Sequence, residues 1–316
     1  MIISDFTHIH AEEAVALSIA SYEEARDKIP VLPKTAVFPD LTSFADNGLG
    51  VAAFENGMMI GFLCCYKPFD NAFGSTRVKG VFSPMGGNAA IAGNRAKIYA
   101  AMYQAAGDKW VRVGAVSHAV SLYAYDREAL EQFFRYGFGL RCIDAIRPME
   151  LIDCAQCGEY EFSELPQTEY MSVYPLHTML NLHQRTSPYF MNRGPDTPES
   201  FKNSYIKRKS RFFAAKYNGE LCAYLKILST GETFITNHEK YRHIGGAFCL
   251  PEHRGRGVYQ NLLNFSIAVL KNEAFAFLGV DFESINPTGY GFWTKYFTAY
   301  TYGLARRIDE KIEEAL

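Results

Sequence analysis

The chain has 316 residues, 48% of them apolar and 21% charged, with 32 Lys and Arg against 34 Asp and Glu for a formal net charge of −2. That balance excludes a nucleic-acid wrapper, an acidic or basic tail and a disordered chain, and the length suits two domains that each bury a core. No run approaches the roughly 20 apolar residues of a membrane span, and residues 1–10 lack the basic and apolar regions of a signal peptide, so a soluble cytoplasmic protein with no membrane or nucleic-acid partner is expected.

The first predicted element is a helix over residues 12–26, with Ala14, Val15, Leu17, Ser18 and Tyr22 along one face. Connections marked by Pro30, Pro33 and Pro39 follow. Residues 50–55 and 58–66 then form alternating apolar runs around Asn56-Gly57, the sequence signal of a tight hairpin. A short strand, Gly80-Val81-Phe82-Ser83-Pro84, leads through a long glycine-containing turn ending in Asn94-Arg95-Ala96-Lys97 to a helix opened by Ile98-Tyr99. Phe133 to Phe138 close this half with an aromatic-rich segment.

Residues 151–168 are polar and without period, which predicts a linker. The pair Cys154 and Cys157 within it has no second pair at zinc-site spacing, so no metal is expected. Of the seven cysteines, Cys64, Cys65, Cys142, Cys222 and Cys249 sit in apolar runs and read as buried thiols. Residues 169–184 predict an amphipathic helix, and residues 200–211 a basic, partly helical stretch whose charges either face solvent or attract a phosphate or an acidic partner.

Here the chain begins to repeat. Ala52-Ala53, Asn56-Gly57 and Gly61-Phe62-Leu63 return 162 positions later as Ala214-Ala215, Asn218-Gly219 and Ala223-Tyr224-Leu225. Gly80 to Pro84 return as Gly246 to Pro251, Ile98-Tyr99 as Val258-Tyr259, and Phe133 to Phe138 as Phe292 to Phe297. A run of matches in one order is a duplicated unit.

In the second copy, residues 244–250 read as a buried strand stopped by Pro251, and Val258, Leu262, Leu263, Phe265, Ile267 and Val269 mark a helix. Between them, Arg254-Gly255-Arg256-Gly257 forms a basic, glycine-rich turn. Amides at a helix start, the positive end of the helix dipole and the absence of a Cβ together suit phosphate oxygens. A further strand over residues 275–282 is followed by Asn286-Pro287, the N-cap and first position of a short helix through Trp293 and Tyr296.

The turn resembles the R/Q-x-x-G-x-G/A pyrophosphate loop of the GCN5-related N-acetyltransferases (GNATs), and the strand, asparagine and aromatic helix after it are similar to the second half of that family's core. The resemblance implies an α/β (α+β) fold of two tandem GNAT-like domains, each a mixed, mostly antiparallel sheet flanked by helices with splayed central strands. Residues 1–150 are then a degenerate copy, in which Lys97 takes the place of Gly257, residues 151–168 a linker, and residues 169–316 the acetyl-coenzyme A-binding copy.

The function the resemblance implies is direct acetyl transfer from acetyl-CoA to a primary amine, with no metal. Coenzyme contacts fall to Phe248, Cys249, Leu250, Arg254, Gly255, Arg256, Gly257, Val258, Tyr259, Asn286 and Trp293, and a backbone N–H among residues 247–250 would face the developing negative charge. Glu283 is the expected base, sharing a strand face with Asp281 by the period of two, while His243 reads as a packed residue. Where the family places a tyrosine as acid this chain has Trp293, which cannot release a proton near neutrality, so Tyr290 or Tyr296 is the expected substitute. Tyr259 also stands where the loop usually ends in Gly or Ala. These departures keep open an alternative, a non-catalytic coenzyme A sensor or interaction module.

Overall fold

The computed structural model describes residues 1–74, 76–192 and 197–315. It is mixed α/β throughout, and the two copies run through the same order of elements except that the first has two short strands, Gly80–Ser83 and Asn88–Ala90, where the second has one, Tyr241–Cys249. The first copy contains β1 (Ile2–Asp5), α1 (Ala11–Lys28), α2 (Thr42–Ala45), β2 (Val51–Glu55), β3 (Met58–Leu63), β4 (Gly80–Ser83), β5 (Asn88–Ala90), α3 (Arg95–Arg112), β6 (Ser117–Tyr123), α4 (Arg127–Arg135) and β7 (Gly139–Pro148). The second contains β8 (Tyr160–Glu164), α5 (Tyr174–Gln184), α6 (Pro198–Arg208), β9 (Arg211–Tyr217), β10 (Glu220–Leu228), β11 (Tyr241–Cys249), α7 (Val258–Asn272), β12 (Phe277–Glu283), α8 (Pro287–Tyr296) and β13 (Thr298–Arg307).

Both hairpin turns are as expected: Asn56 and Gly57 have φ of 53° and 82°, Asn218 and Gly219 of 51° and 83°. Two successive left-handed residues match the twist of the strands they join, which is why Asn-Gly is selected there.

The chain divides into two compact units. Unit 1 comprises Met1–Asp144, Thr233–Ile235 and Ala299–Leu316; unit 2 comprises Ala145–Glu232 and Thr236–Thr298. These are not the sequence-derived limits. The last strand of the chain, β13, belongs to unit 1, where it pairs antiparallel with β6 from Thr301 opposite Tyr123 to Arg307 opposite Ser117. Its Leu304 is buried in the same core as Trp110, Val120 and Phe133. The end of the first copy, in turn, falls in unit 2, where the Met149 amide donates to the Ala276 carbonyl. Each unit is thus closed by chain from the far end of the other copy. The expected linker over residues 151–168 also contains a strand: β8 pairs antiparallel with β9 from Tyr160 opposite Tyr217 to Glu164 opposite Phe213.

In unit 2 the strands run in the order β12, β11, β10, β9, β8. Strand β11 pairs parallel with β12 only from Tyr241 opposite Phe277 to Ile244 opposite Val280, yet it stays paired with β10 as far as Cys249 opposite Ala223. A register shift at Lys226/Ile227 leaves Gly245 without an opposite residue, and a bulge of this kind bends a strand away from its neighbour. Beyond Ile244 the edge of β11 is therefore open. Unit 1 splits the corresponding strand in two: β4 pairs parallel with β6, and β5 pairs antiparallel with β3.

Candidate active site

Helix α7 begins at Val258, and its N-cap is Gly257, with φ of 78° and no capping side chain. The first amides of a helix have no partner within it, so without a cap those of Val258, Tyr259 and Gln260 are left for something outside. Gly255, with φ of 76°, turns the chain into this position. A Cβ on Gly257 would meet nothing nearer than the Asn261 Nδ2 at 3.6 Å and the Ala155 carbonyl at 3.8 Å. The glycine thus serves the left-handed backbone and open access rather than tight packing.

The turn is held from behind by two asparagines of α7. Asn261 Nδ2 donates to the carbonyls of Gly257 and Ala155, both at 2.9 Å. Asn264 Nδ2 donates to the Ile152 carbonyl at 2.8 Å, and its Oδ1 accepts from the Ile152 amide at 2.7 Å. The segment read from sequence as a linker is therefore the backing of the loop. Cys154 and Cys157 are free thiols within it. Among the described residues no group of three or more His, Cys, Asp or Glu could hold a metal ion.

From this turn a cleft of about 490 Å³ runs along the open edge of β11, within the usual range for small-molecule sites. It brings together Phe248, Cys249, Arg254, Gly255, Gly257, Val258, Tyr259, Asn286 and Trp293 of the expected contacts. Arg254 Nε donates to the Cys249 carbonyl at 2.9 Å and its guanidinium lies 5.4 Å from the Phe248 ring centre, so its charge is fixed beside the helix start.

Two expected contacts are not there. Arg256 is absent from the lining, lying instead near the Tyr160 phenol, and Leu250 does not line the cleft, its amide donating to the Cys222 carbonyl at 2.9 Å. That bond also fixes the phase of β11. Antiparallel partners alternate between bonded and unbonded pairs, so Phe248 faces β10 as Leu250 does, and the amides of Ala247 and Cys249 point to the open side. Burial pushes the Cys249 thiol up to about 12, which keeps it protonated and argues against a nucleophile.

Asn286 caps α8, its Oδ1 accepting from the Gly289 amide at 3.3 Å and the Thr288 hydroxyl at 2.9 Å. Its Oδ1 also lies 3.5 Å from His183 Nε2. Leu180 and His183 of α5 line the cleft; nothing in their local sequence distinguished them from an ordinary helix face. Tyr259 replaces the small residue at the loop's end without closing it, because its ring turns edge-on to Phe292 and Trp293, at 5.2 and 6.0 Å, and its hydroxyl donates to the Tyr224 carbonyl at 3.2 Å. Burial holds that phenol well above its usual pKa.

A second cavity of about 170 Å³ shares Leu180, Ala247, Asn286 and Trp293 with the cleft and is lined by Asp281 and Glu283. Val280 and Phe282 of the same strand line it as well, so it lies at the end of β12 rather than over one face. Glu283 is buried. Asp281 Oδ1 lies 2.6 Å from His243 Nε2, and His243 Nδ1 lies 3.0 Å from the Tyr241 hydroxyl. His243 itself is buried and lines neither cavity, as a packed residue would.

Neither tyrosine proposed as an acid lines either cavity. Tyr290 is exposed, its ring 6.3 Å from Phe282, and Tyr296 ends α8 a turn beyond Trp293 with its ring 5.0 Å from Phe292. Helical phase carries the first to the flank of α8, and distance along the axis removes the second.

The matching place in unit 1 is filled from within. Helix α3 starts at Arg95, so its cap is Asn94, and Lys97 sits exposed in the first turn rather than in the place of Gly257. The Arg95 amide is bonded by the Glu128 carboxylate at 3.1 Å, an internal anion at the helix start. The buried Arg95 guanidinium pairs with Glu24 and donates to the Ala90 carbonyl at 3.1 Å. Asn88 Nδ2 donates to the Ser83 hydroxyl at 3.0 Å and the Ser121 carbonyl at 3.1 Å, and its Oδ1 accepts from Tyr99 at 2.9 Å. These side chains leave a space of about 10 Å³, room for about one water at most. Lys97 was the wrong reason for a closed first copy; Arg95, Asn88 and Glu128 are the physical one.

Residues 176–297 match the model of the Acetyltransferase (GNAT) family. No curated protein matches the chain. Among solved structures, a GCN5-related N-acetyltransferase from Sphaerobacter thermophilus is similar over 97% of this chain and 95% of its own, with 12% identity and a TM-score of 0.57. An acetyltransferase of the GNAT family from Colwellia psychrerythraea is similar over 98% and 100%, with 11% identity and a TM-score of 0.51. A glucosamine N-acetyltransferase region of a fungal multi-domain GH3 β-N-acetylglucosaminidase is similar over 96% of this chain and 38% of that one, with 14% identity and a TM-score of 0.52. At such identities these likenesses speak for the fold, and the match over residues 176–297 speaks for the family. Residues 176–297 carry the sequence pattern of the GNAT family, and the chain has the fold of two GNAT-like copies in tandem.

Proposed function

We propose that unit 2 is an N-acetyltransferase that moves an acetyl group from acetyl-CoA to a primary amine, and that unit 1 binds no coenzyme. The observation that carries this reading is the parting of β11 from β12 after Ile244, which opens one continuous path from the uncapped start of α7 to Asp281 and Glu283. The group fits the residues present. Three uncapped amides and Arg254 suit a pyrophosphate, and the free edge of β11 suits an extended amide-bearing chain. Acetyl-CoA supplies the acyl group as a thioester.

The work of the chain is then positional and electrostatic. The Ala247 and Cys249 amides donate toward the acyl oxygen as it gains charge, from a strand already fixed in place. Glu283 takes the proton that an ammonium must lose before it can attack. Trp293, at the junction of the two cavities, shapes the passage and excludes water, and the departing sulfur takes its proton from solvent.

A second reading rests on Trp293 and on the positions of Tyr290 and Tyr296: with no weakly held phenolic proton near the sulfur, unit 2 would bind coenzyme without turnover. One assay separates the two, following free thiol with acetyl-CoA and a panel of amines. Amine-dependent, saturable thiol release is expected. Tight acetyl-CoA binding with no release by any amine would establish the binding module instead, and absence of binding would remove both.

A further inference from the structure

Unit 2 has a further cavity of about 480 Å³ that shares no lining residue with the cleft or with the smaller cavity beside it. It is built from the end of β8, the start of β9 and the last turn of α6, and β10 separates those strands from β11. The basic stretch over residues 200–211 runs into it. Lys202, Lys207 and Arg208 are exposed on α6, while Lys209, Ser210 and Arg211 line the cavity.

Of the charges in the lining, two cancel. Arg211 donates from Nε and Nη2 to Glu164 at 2.7 and 2.8 Å, and from Nη1 and Nη2 to Glu273 at 2.6 and 2.7 Å. Lys209 has no acidic partner among the described residues, so its ammonium is the charge left for a ligand. Its backbone is strained as well. With φ of 47° and ψ of 48° it caps α6 in the left-handed region, where a helix end ordinarily takes Gly or Asn, and such strain gathers at ligand sites.

Ser210 adds a second, independent sign. It is 5% exposed, and its hydroxyl is buried with no hydrogen-bond partner in the chain. Buried hydroxyls are nearly always paired, and one left alone lowers stability, so a ligand oxygen is the missing partner. The walls supply flat apolar surface. Tyr170 and Tyr205 lie 4° from parallel with ring centres 3.8 Å apart, closer than the offset or edge-on arrangements that rings prefer, and Tyr205 lies 16° from parallel with Phe212 at 6.0 Å. All three rings line the cavity, together with Leu165, Pro166 and Ile206.

We infer that this cavity binds an aromatic monocarboxylate of one or two rings, its carboxylate taken by the Lys209 ammonium and the Ser210 hydroxyl and its ring laid against Tyr170, Tyr205 and Phe212. The volume of about 480 Å³ is usual for a small-molecule site and has room for about 16 waters at roughly 30 Å³ each. One free ammonium matches one carboxylate. A phosphate monoester would bring up to about two charges beside Glu164 with a single cation to meet them. The inference stands on this cavity alone and does not rest on the reading of the cleft.

Calorimetric titration of the full chain tests it with 2-naphthoate, 2-naphthylmethanol, octanoate and 2-naphthyl phosphate. A charge-assisted contact is worth about tenfold or more, so naphthoate should bind at least about 10-fold tighter than the alcohol, and tighter than octanoate or the phosphate. Lys209→Met should weaken naphthoate by about 10-fold or more, leave the alcohol within about threefold, and leave acetyl-CoA affinity as it was. Ser210→Ala removes a hydroxyl that is unpaired in the free protein, so the melting temperature should hold or rise while naphthoate binds more weakly. A hydroxyl kept for structure would instead lower the melting temperature when removed, and that result overturns the inference. So does absence of saturable naphthoate binding, equal or tighter binding of any of the other three, an unchanged affinity in Lys209→Met, or displacement of naphthoate by acetyl-CoA. None of these results bears on acetyl transfer, which the thiol assay decides separately.

Discussion

Gly257→Lys should abolish coenzyme binding while the protein stays folded. A lysine at φ of 78° costs about 1–2 kcal/mol, because the left-handed region crowds its Cβ, but no side chain or backbone atom lies nearer than 3.6 Å to where that Cβ would be. The cost to the ligand is larger. The new side chain occupies the approach to the Val258, Tyr259 and Gln260 amides, and losing two or more hydrogen bonds to a charged phosphate, each worth about 1.5–3 kcal/mol, is a loss of about 10²-fold to 10⁴-fold in affinity. Calorimetric titration with acetyl-CoA, beside a melting curve, reads both effects. Unchanged affinity with a preserved melting temperature would remove the loop as the phosphate site.

Glu283→Gln should lower turnover by about 10²-fold or more, the usual contribution of a positioned general base, and leave acetyl-CoA affinity nearly as it was. Glutamine keeps the size of the buried side chain and its place opposite Asp281's end of the cavity, so a loss of rate reports the proton and not the packing. Steady-state rates from pH 6 to pH 9 make the comparison. A mutant with full rate across that range would hand the role to another group, such as a water held by Asp281.

Much of this architecture was legible in the sequence because its signals are local. Asn-Gly between apolar runs encodes a hairpin whatever surrounds it, and both turns adopt the left-handed pair it predicts. A glycine-rich turn between an apolar strand and an apolar helix likewise encodes its own geometry, and Gly255 and Gly257 both take the left-handed conformation such a turn needs.

What was missed depends on partners distant in the chain. Strand β8 has no period of its own and exists because β9 offers an edge to pair with, and β13 completes unit 1 although the repeat pattern assigns it to the second copy. The fates of Arg256, Tyr290 and Tyr296 turn on which way one side chain or one helix flank points, which residue identity does not reveal. In the first copy, the aligned Lys97 misled because the helix starts one turn early, at Arg95, and it is the Arg95 side chain that fills the space.

The central claim is that one copy of the fold carries coenzyme and the other is closed by its own side chains. The direct measurement is the stoichiometry of acetyl-CoA binding to the intact chain, since residues 1–150 alone would lack the strand β13 that pairs with β6. Unit 2 offers a cleft of about 490 Å³ with an uncapped helix start, whereas unit 1 offers about 10 Å³ and a helix start already bonded to Glu128. Titration should saturate at one equivalent per chain and fall to none in Gly257→Lys. Saturation at two equivalents, with one surviving that substitution, would contradict the account.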